Sequence, residues 1–369
     1  MAVFTTRNTR IAGISACVPE KIISNWDYTW IGMKERQQLV NTIGVETKRA
    51  VDKYTSASDL CYVAAEKLVE DLGWIKEEIE LLIFISQSKD YTIPHNAAII
   101  QDRMGLPRTC VAFDIGLGCS AYVYGLSVMN NMMSSGHIKK GLLLMGDISS
   151  TGSRRDKSAY PLFGDAGTAT AIEYADGFEE MTFNLQTDGA GYDAIIIPDG
   201  GMRNPTTKSS LEFKQIDKGI IRNNIQIVLN GIDVFNFSLR EVAPNILSLL
   251  ERINKTTEDF DYFVLHQANK LMNNAIRMKL KSPKAKFPLS ISKYGNTSSA
   301  SIPVTIVSEL QKEISVNELN LILSGFGVGL SWGSVSLKTD RIKCPEVLIY
   351  EDHIKNYNPN RYHYIVKSK

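Results

Sequence analysis

The sequence contains one cysteine at a position suited to nucleophilic chemistry, Cys119. An apolar run at residues 110–115 predicts a buried strand, and the apolar residues from Ala121 onward surround a helical wheel, which predicts a buried helix. Gly116 and Gly118 lie between the two and let the backbone turn sharply. As the first side chain of that helix, Cys119 faces unpaired N–H groups and the positive end of the helix dipole, which favour the thiolate. A lone cysteine is more often a buried structural residue, so a nucleophilic role requires partners elsewhere in the chain.

Two later segments offer such partners. His266 follows an apolar strand predicted at residues 262–265, and open α/β sheets bind ligands just beyond such strand ends. Asn296 lies in a small polar loop that precedes a helix predicted to begin near Pro303. Taken singly, the histidine is more often a core residue and the asparagine a turn residue. A cysteine with a separate histidine and asparagine is nevertheless the recurring set for thiol acyl transfer.

A glycine-rich segment at residues 324–333 adds a way to stabilise negative charge. It reads Ser-Gly-Phe-Gly-Val-Gly-Leu-Ser-Trp-Gly. A strand-like run follows it, whereas a dinucleotide-binding loop requires a helix at that point. A glycine-rich hairpin between buried strands can instead bring backbone N–H groups against a reacting carbonyl, which would form an oxyanion hole.

The elements that must position these groups alternate between apolar strands and helices, which predicts an α/β fold with sheets covered on both faces. The second half repeats the coarse order of the first, without a residue-level repeat. A stretch beginning at residue 199 is rich in turn formers and predicts a surface excursion. The predicted strands are 11–18 (an edge or first strand), 81–86, 110–115, 141–147, 168–174, 262–265, 319–324 and 330–337, and the predicted helices are 60–72 (capped by Ser58 and Asp59 and closed by Gly73), 94–104, 121–136, 234–253, 269–280 and 303–313.

Composition excludes several functional classes. The chain has 369 residues, a net charge of +1 and well-mixed acids and bases, so neither nucleic acid nor an anionic membrane is an expected partner. No apolar run approaches the length of a membrane span, and the N-terminus lacks a long apolar segment, so we expect a cytoplasmic protein. Its five cysteines show no Cys-x-x-Cys spacing, which argues against a disulfide framework or a zinc site.

Four motifs, in this order along the chain, resemble the β-ketoacyl-acyl carrier protein synthase III family of thiolase-fold condensing enzymes. They are Gly-x-Gly-Cys119, His266-Gln-Ala-Asn269, the loop from Gly295 to Pro303, and the glycine-rich segment. The likeness covers roughly residues 10–338. It implies a five-layer αβαβα thiolase-like fold of two pseudo-repeated halves, residues 1–177 with the nucleophile and 178–338 with the histidine and asparagine, followed by a tail at 339–369.

The resemblance also implies a mechanism. Cys119 would take an acyl group from a thioester, while the backbone N–H groups of Cys119 and Val328 hold the oxyanion. Malonyl-acyl carrier protein would then lose carbon dioxide, with the enolate oxygen facing His266 and Asn296 as neutral donors. The enolate would attack the acyl-cysteine and give a 3-oxoacyl product, as in fatty-acid biosynthesis. No cofactor is implied beyond the thioester carrier itself, which is coenzyme A or the phosphopantetheine of an acyl carrier protein.

Further contacts follow from the same resemblance. The family forms a two-fold homodimer in which a loop of one subunit reaches the acyl pocket of the other. By matching position, the residues expected to contact substrate are Ile93 (across the dimer interface), Phe163, Phe235, Asn269 and Gly327. The two phenylalanines could equally be ordinary core residues.

The sequence departs from the family where acetyl-CoA is bound. Family members that use acetyl-CoA present Trp, Arg and Asn side chains to the nucleotide, and the matching positions here are Gln38, Thr42, Lys157, Ile232 and Leu271. The primer is therefore expected to arrive on a carrier protein, or the donor is unusual. An acidic carrier would suit the basic residues Arg154, Arg155, Lys157, Lys270 and Arg277.

Two rival functions remain open from the sequence. The same fold could transfer an acyl group to a hydroxyl or amine without decarboxylation, with His266 as general base. A non-catalytic partner subunit is the other rival, although such subunits usually lose the cysteine or histidine. The sequence does not define the acyl chain length, the carrier or the pathway.

Overall fold

The chain folds into two β-sheets separated and flanked by helices, as seen in a computed structural model that describes residues 2–52 and 54–351. Five layers result, which confirms the predicted αβαβα arrangement. The helices are α1 Met33–Ile43, α2 Ala57–Leu72, α3 Asn96–Arg103, α4 Ala121–Met133, α5 Gly231–Arg252, α6 Lys270–Lys279, α7 Ile291–Tyr294 and α8 Ser301–Val316.

The first sheet has the strand order β17-β2-β8-β7-β5-β6 and the second has the order β1-β9-β16-β15-β14. Three short two-stranded ribbons lie outside them. The strands are β1 Ala2–Thr6, β2 Thr9–Pro19, β3 Ile22–Ser24, β4 Thr47–Arg49, β5 Leu81–Ile85, β6 Val111–Ile115, β7 Lys140–Asp147, β8 Ala166–Tyr174, β9 Met181–Thr187, β10 Ile195–Ile196, β11 Lys214–Asp217, β12 Ile220–Arg222, β13 Val228–Leu229, β14 Tyr262–Leu265, β15 Glu318–Gly327, β16 Ser331–Asp340 and β17 Leu348–Tyr350.

Three hydrophobic clusters define the layers. Helices α4 and α8 lie between the sheets, where side chains such as Leu126 and Ile306 pack against strand residues from both. Helices α2 and α3 cover the outer face of the first sheet, and α5 and α6 cover the outer face of the second. Nine of the 13 residues of α4 are buried, and its apolar side chains are spread around most of the helix, in line with the buried helix that the sequence predicts.

Several elements differ from their predicted positions. Strand β6 is the edge of its sheet, and its residues are partly exposed, with Val111 47% exposed, so the prediction of a buried strand at 110–115 is wrong. Strand β2 was predicted as an edge or first strand, but it lies between β17 and β8. Helix α2 is capped by Ser56, whose capping box uses Asp59, while Gly73 closes the helix in the left-handed conformation as predicted.

The chain termini tie the two sheets together. Strand β1, near the N-terminus, pairs with β9 of the second sheet, and β17, after residue 338, pairs in parallel with β2 of the first. The predicted tail at 339–369 therefore begins as ordered structure, and its residues 352–369 lie outside the described part. The division at 177 and 338 stays a prediction. Within the described residues, no helix is long and apolar enough to cross a membrane.

Candidate active site

A cavity of about 430 Å³ brings together the three side chains singled out from the sequence. Cys119, His266 and Asn296 all line it, although they come from the loop before α4, the end of β14 and the loop before α8. Phe163, Phe235, Asn269, Gly327 and Val328 also line this cavity. Ile93 does not, because it is 83% exposed on a loop of the surface.

Cys119 lies in the turn between β6 and α4. The helix begins at Ala121, so Cys119 is two residues before it and not the first helical side chain as predicted. Gly118 is needed for close packing, because a Cβ there would come within 2.3 Å of Oε1 of Gln87. Around Gly116 the space is open. The sequence predicted that both glycines allow a sharp turn. The structure gives a packing reason for glycine at position 118 and no such reason at position 116.

The glycine-rich hairpin between β15 and β16 packs directly on this turn. Gly327 has φ of 154°, and a Cβ on it would be 2.8 Å from Sγ of Cys119. The backbone of Val328, the next residue, is close enough to the thiol to lower its pKa. Ser331 donates a hydrogen bond from Oγ to the carbonyl oxygen of Val328 (2.8 Å), and its Oγ is 2.7 Å from that of Ser120. Two hydroxyls thus hold this turn in place beside Cys119.

His266 is held by the second sheet and the central helix layer. Its backbone N–H donates to the carbonyl of Ser324 on β15 (2.8 Å), and its Nδ1 lies 2.6 Å from Oγ of Ser301. The ring packs edge-on against Phe326. Burial lowers the pKa of His266 to about 3, and a hydrogen bond to the Ser298 backbone opposes this effect only in part. The imidazole is therefore neutral at physiological pH.

Asn296 is fixed through its backbone by the first half of the chain. Its N–H donates to the carbonyl of Leu162 (2.9 Å), and its carbonyl accepts from the N–H of Gly164 (3.1 Å). The side-chain Oδ1 accepts from the N–H of Ser298 (2.9 Å). The only contact of Nδ2 within the described residues is long, 3.5 Å to the carbonyl of Ala268, so this amide can donate to a bound substrate.

Ser298 lies between Cys119 and His266. Its side chain is close enough to Cys119 to lower the pKa of the thiol, and its backbone is close enough to His266 to raise the pKa of the imidazole. One residue thus adjoins both groups. Sequence reasoning assigned no role to Ser298 or Ser301. The available signal was their place in the polar loop with Asn296.

The thiol of Cys119 is less acidic than predicted. Burial raises its pKa to about 11, and the negative charge of Asp147 adds to the increase, whereas hydrogen bonds from Val328 and Ser298 lower it. The prediction that the helix dipole favours a thiolate considered only one of these effects. In the resting site, desolvation outweighs the dipole and the hydrogen bonds.

Asn269 lines the cavity but its side chain is already used. Its Oδ1 accepts a hydrogen bond from the N–H of Met272 (2.8 Å) and so caps α6. A capping role accounts for an asparagine at this position without any ligand. Contact with substrate, as predicted for Asn269, stays a prediction.

The mouth of the cavity is apolar where a nucleotide would need polar partners. Ile232, which is 74% exposed, and Leu271 line it, and α1 presents Leu39 and Ile43 in place of Gln38 and Thr42. Lys157 also lines the mouth, but its Nζ is 2.7 Å from the carboxylate of Glu35. Among residues 2–52 and 54–351, no group of three or more His, Cys, Asp or Glu side chains could hold a metal ion.

The sequence and the fold both match known proteins of one family. Residues 113–189 match the 3-oxoacyl-[acyl-carrier-protein (ACP)] synthase III family, and residues 250–339 match its C-terminal region. The chain is 33% identical to a putative 3-oxoacyl-[acyl-carrier-protein] synthase 3 of Campylobacter jejuni, over 92% of this chain and 97% of that one. It is 32% identical to a β-ketoacyl-[acyl-carrier-protein] synthase III of Clostridioides difficile, over 89% and 97%. A solved 3-oxoacyl-(acyl-carrier protein) synthase of Burkholderia xenovorans superposes with a TM-score of 0.89 at 35% identity, over 94% and 99%.

Proposed function

Because the chain belongs to the 3-oxoacyl-[acyl-carrier-protein] synthase III family of acyltransferases, we propose that it makes 3-oxoacyl thioesters in two steps on one cysteine. An acyl group is first loaded on Cys119, and the acyl-enzyme then condenses with malonyl-acyl carrier protein. The observation that carries this proposal is that Cys119, His266 and Asn296 line one cavity. The same surroundings support a role for each group.

In the first step, the sulfur of Cys119 attacks the carbonyl carbon of the donor thioester. The carbonyl oxygen gains negative charge, and the N–H groups of Cys119 and Val328 are the donors best placed to stabilise it. The carbon–sulfur bond of the donor then breaks. Its thiol leaves with the proton that Cys119 gave up, and the acyl group stays on Cys119.

In the second step, the malonyl thioester binds with its carbonyl oxygen towards His266 and Asn296. Carbon dioxide leaves, and the electron pair of the broken bond forms an enolate. A neutral imidazole and a carboxamide can both donate hydrogen bonds to the enolate oxygen, and the low pKa of His266 keeps its ring neutral for this purpose. The enolate carbon attacks the acyl-cysteine, and Cys119 leaves as a thiolate that is then protonated.

The rival reaction, acyl transfer to a hydroxyl or amine, is less well supported. It requires a general base that accepts a proton, and a histidine whose pKa is about 3 is a poor proton acceptor at neutral pH. The relatives named above are described as 3-oxoacyl- and β-ketoacyl-[acyl-carrier-protein] synthases. A non-catalytic subunit is disfavoured by the retention of all three side chains.

The acyl donor is proposed to be a carrier protein thioester. Lys157 carries the only permanent positive charge among the described residues of the cavity wall, and Glu35 pairs with it, so nucleotide phosphates find little support there. The segment from Tyr262 to Ser308 contains no Asp or Glu. Its basic residues are Lys270, Arg277, Lys279, Lys281, Lys284, Lys286 and Lys293.

These charges favour the exposed face of α6 as the surface that an acidic carrier contacts. Lys270 and Lys279 are exposed there beside Leu271, which also lines the cavity mouth, and Nζ of Lys279 donates in addition to the carbonyl of Leu239 (2.7 Å). Of the basic residues predicted for this role, Lys157 is paired with Glu35, and Arg277 donates to the carbonyl of Ser282. A Lys270→Glu and Lys279→Glu double variant should raise KM for acyl carrier protein substrates while leaving KM for an acyl-pantetheine unchanged.

A homodimer is proposed through strand β6. Its outer edge is unpaired within the described chain, and Val111 and Phe113 leave apolar surface exposed, which is an unprotected edge in a monomer. Pairing with the same edge of a second copy would join the two sheets about a two-fold axis. The exposed Ile93 could then reach the partner's cavity. A Phe113→Lys variant should shift the mass measured by light scattering from dimer to monomer.

The main experiment weighs the intact protein after incubation with a panel of acyl-CoAs and acyl-carrier proteins. We expect an acyl adduct that is absent from Cys119→Ala, followed by carbon dioxide and a 3-oxoacyl product when malonyl-acyl carrier protein is added. His266→Ala and Asn296→Ala should still form the adduct but release little carbon dioxide. An adduct that passes to a hydroxyl or amine acceptor without release of carbon dioxide would replace this proposal with its rival.

A further inference from the structure

Asp147 is a buried carboxylate that the two-step reaction does not use. It is the last residue of β7 and is 1% exposed. Within the described residues, no Lys, Arg or His forms an ion pair with it. Burying a carboxylate away from water is costly, so an aspartate at this position needs a compensating set of hydrogen bonds.

One oxygen of Asp147 holds the loop that follows β5. Its Oδ1 accepts hydrogen bonds from the backbone N–H of Gln87 (2.8 Å) and from the hydroxyl of Ser86 (3.1 Å), with the hydroxyl of Ser88 at 3.4 Å. Gln87 lines the cavity, and its side chain lies against Gly118, next to the nucleophile. The hydrogen bonds to Oδ1 thus fix the part of the cavity wall that Gln87 forms beside Cys119.

The other oxygen holds the loop that contains Asn296. The Oδ2 atom accepts from the backbone N–H of Ser299 (3.1 Å) and from its hydroxyl (2.7 Å). Ser299 directly follows Ser298, the residue that contacts both Cys119 and His266. Ser298 has φ of 51°, a left-handed conformation that a non-glycine residue keeps only when its surroundings hold it.

A carboxylate is the side chain that can hold both loops at once. The backbone N–H groups of Gln87 and Ser299 can only donate hydrogen bonds, and each donates to a different oxygen of Asp147. Each of the two side-chain atoms must therefore be an acceptor. Asparagine has the same shape, but it offers one acceptor and one N–H group, so one of the two loops would face a donor.

From these contacts we propose that Asp147 is a positioning residue that locks the Ser298 turn and the Gln87 wall together around the thiol and the imidazole. The proposal rests on the proposed two-step function, because it assigns Asp147 to the condensation half of that reaction. Asp147 touches no substrate itself. It acts through Ser299 and Gln87 on the groups that do.

The negative charge has a second consequence that separates positioning from simple packing. It raises the pKa of the Cys119 thiol, so removing the charge should make the thiol more acidic. An Asp147→Asn variant is therefore expected to alkylate faster at Cys119 and yet to condense more slowly. Ser299→Ala loosens the same loop but keeps the charge, so faster alkylation in both variants would report greater exposure of the thiol and not greater acidity.

The test compares Asp147→Asn and Ser299→Ala with Ser15→Ala. Ser15 is an equally buried serine on β2 that donates to the carbonyl of Ala64 (2.7 Å), away from the cavity. We expect carbon dioxide release from pre-acylated enzyme to fall at least about tenfold in both site variants and to be unchanged in Ser15→Ala. Iodoacetamide alkylation of Cys119 at pH 8 should be faster in Asp147→Asn only. Ser299→Thr keeps the hydroxyl and should condense at close to the wild-type rate.

Hydrogen exchange across residues 298–300 gives a measurement that needs no substrate. It should be faster in both site variants than in the wild type or Ser15→Ala. Unchanged exchange in the variants, condensation within twofold of wild type, or alkylation that is not faster in Asp147→Asn than in Ser299→Ala would each overturn the proposal. If Asp147→Asn does not fold, Ser299→Ala decides by the same criteria. A wild type that condenses nothing would refute the proposed function, while hydrogen exchange would still test the role of Asp147.

Discussion

Nδ1 of His266 and Oγ of Ser301 lie 2.6 Å apart, and this contact is completely buried. Ser301 is the first residue of α8, the helix that packs between the two sheets. The orientation of the imidazole is therefore set by the central layer of the fold. With Nδ1 engaged, the other ring nitrogen is the one left to meet a substrate in the cavity.

Replacing Ser301 with alanine should impair condensation but not acylation. The ring would lose the partner that fixes its orientation, and donation to the enolate oxygen would weaken, with an expected loss of about tenfold or more in turnover. The adduct on Cys119, measured by intact mass, should form at the wild-type rate. The Ser15→Ala variant serves as the control, and an equal loss in both steps would contradict this role of Ser301.

Replacing Ser331 with alanine should slow both steps to a similar extent. Its hydroxyl donates to the carbonyl of Val328 and contacts Ser120, so it holds the turn whose N–H groups face the reacting carbonyl in each step. Loss of a single oxyanion donor costs roughly 10²- to 10³-fold, and a displaced donor should cost less than that. Rates of adduct formation and of 3-oxoacyl product formation, measured separately, provide the check. A loss confined to product formation, with adduct formation unchanged, would contradict this role of Ser331.

Replacing Gly327 with alanine should abolish the adduct. A Cβ at this position would come within 2.6 Å of Cβ of Cys119, and a φ of 154° is strained for any residue with a side chain. Gly201→Ala is a matched control, because the space around Gly201 is open and its φ is not in the left-handed region. Circular dichroism should show that both variants fold, and intact mass should show acylation only in the control.

Stability should fall in acid partly because of His266. Its folded-state pKa of about 3 is below the ordinary value of 6.5, so the unfolded chain binds more protons between these two pH values. Unfolding therefore becomes more favourable as the pH falls from about 6.5, by roughly 3 kcal/mol at about pH 4 for this group alone. Denaturant titrations from pH 7 to pH 4 should show a smaller decline in a His266→Gln variant. Equal declines would mean that His266 is protonated in the folded protein.

The candidate reactive residues could be recognised from the sequence because each lies beside a strand, a helix or a glycine-rich segment that its immediate neighbours predict. Cys119 follows a strand and precedes a helix, His266 ends a short apolar strand, and the glycine-rich segment separates two apolar runs. Such patterns depend on neighbours within a few residues, so a single sequence is enough to identify them. The α/β class followed from the same periodicity, whereas the five-layer arrangement followed from the resemblance to the synthase III family.

The predictions from sequence were wrong where a property depends on residues that are far apart in the chain. The run at 110–115 is apolar, but β6 lies at an edge, and the exposure of an edge is decided by which strands pair. Strand β17 pairs with β2 through three residues of a segment with little periodicity, which no local pattern predicts. The acidity of Cys119 followed burial and not the nearby helix, because desolvation is produced by the whole surrounding protein.

Sequence alone thus determined the fold class and singled out Cys119, His266 and Asn296 as the candidate reactive residues, since strand ends, glycines and reactive side chains can be recognised from neighbours in the chain. Tertiary structure decided the rest. It placed Ser298 between Cys119 and His266, set Ser301 against the imidazole, and buried Asp147 between two loops. These contacts join segments as much as 152 residues apart. Their geometry exists only after the two sheets have packed on the helices between them.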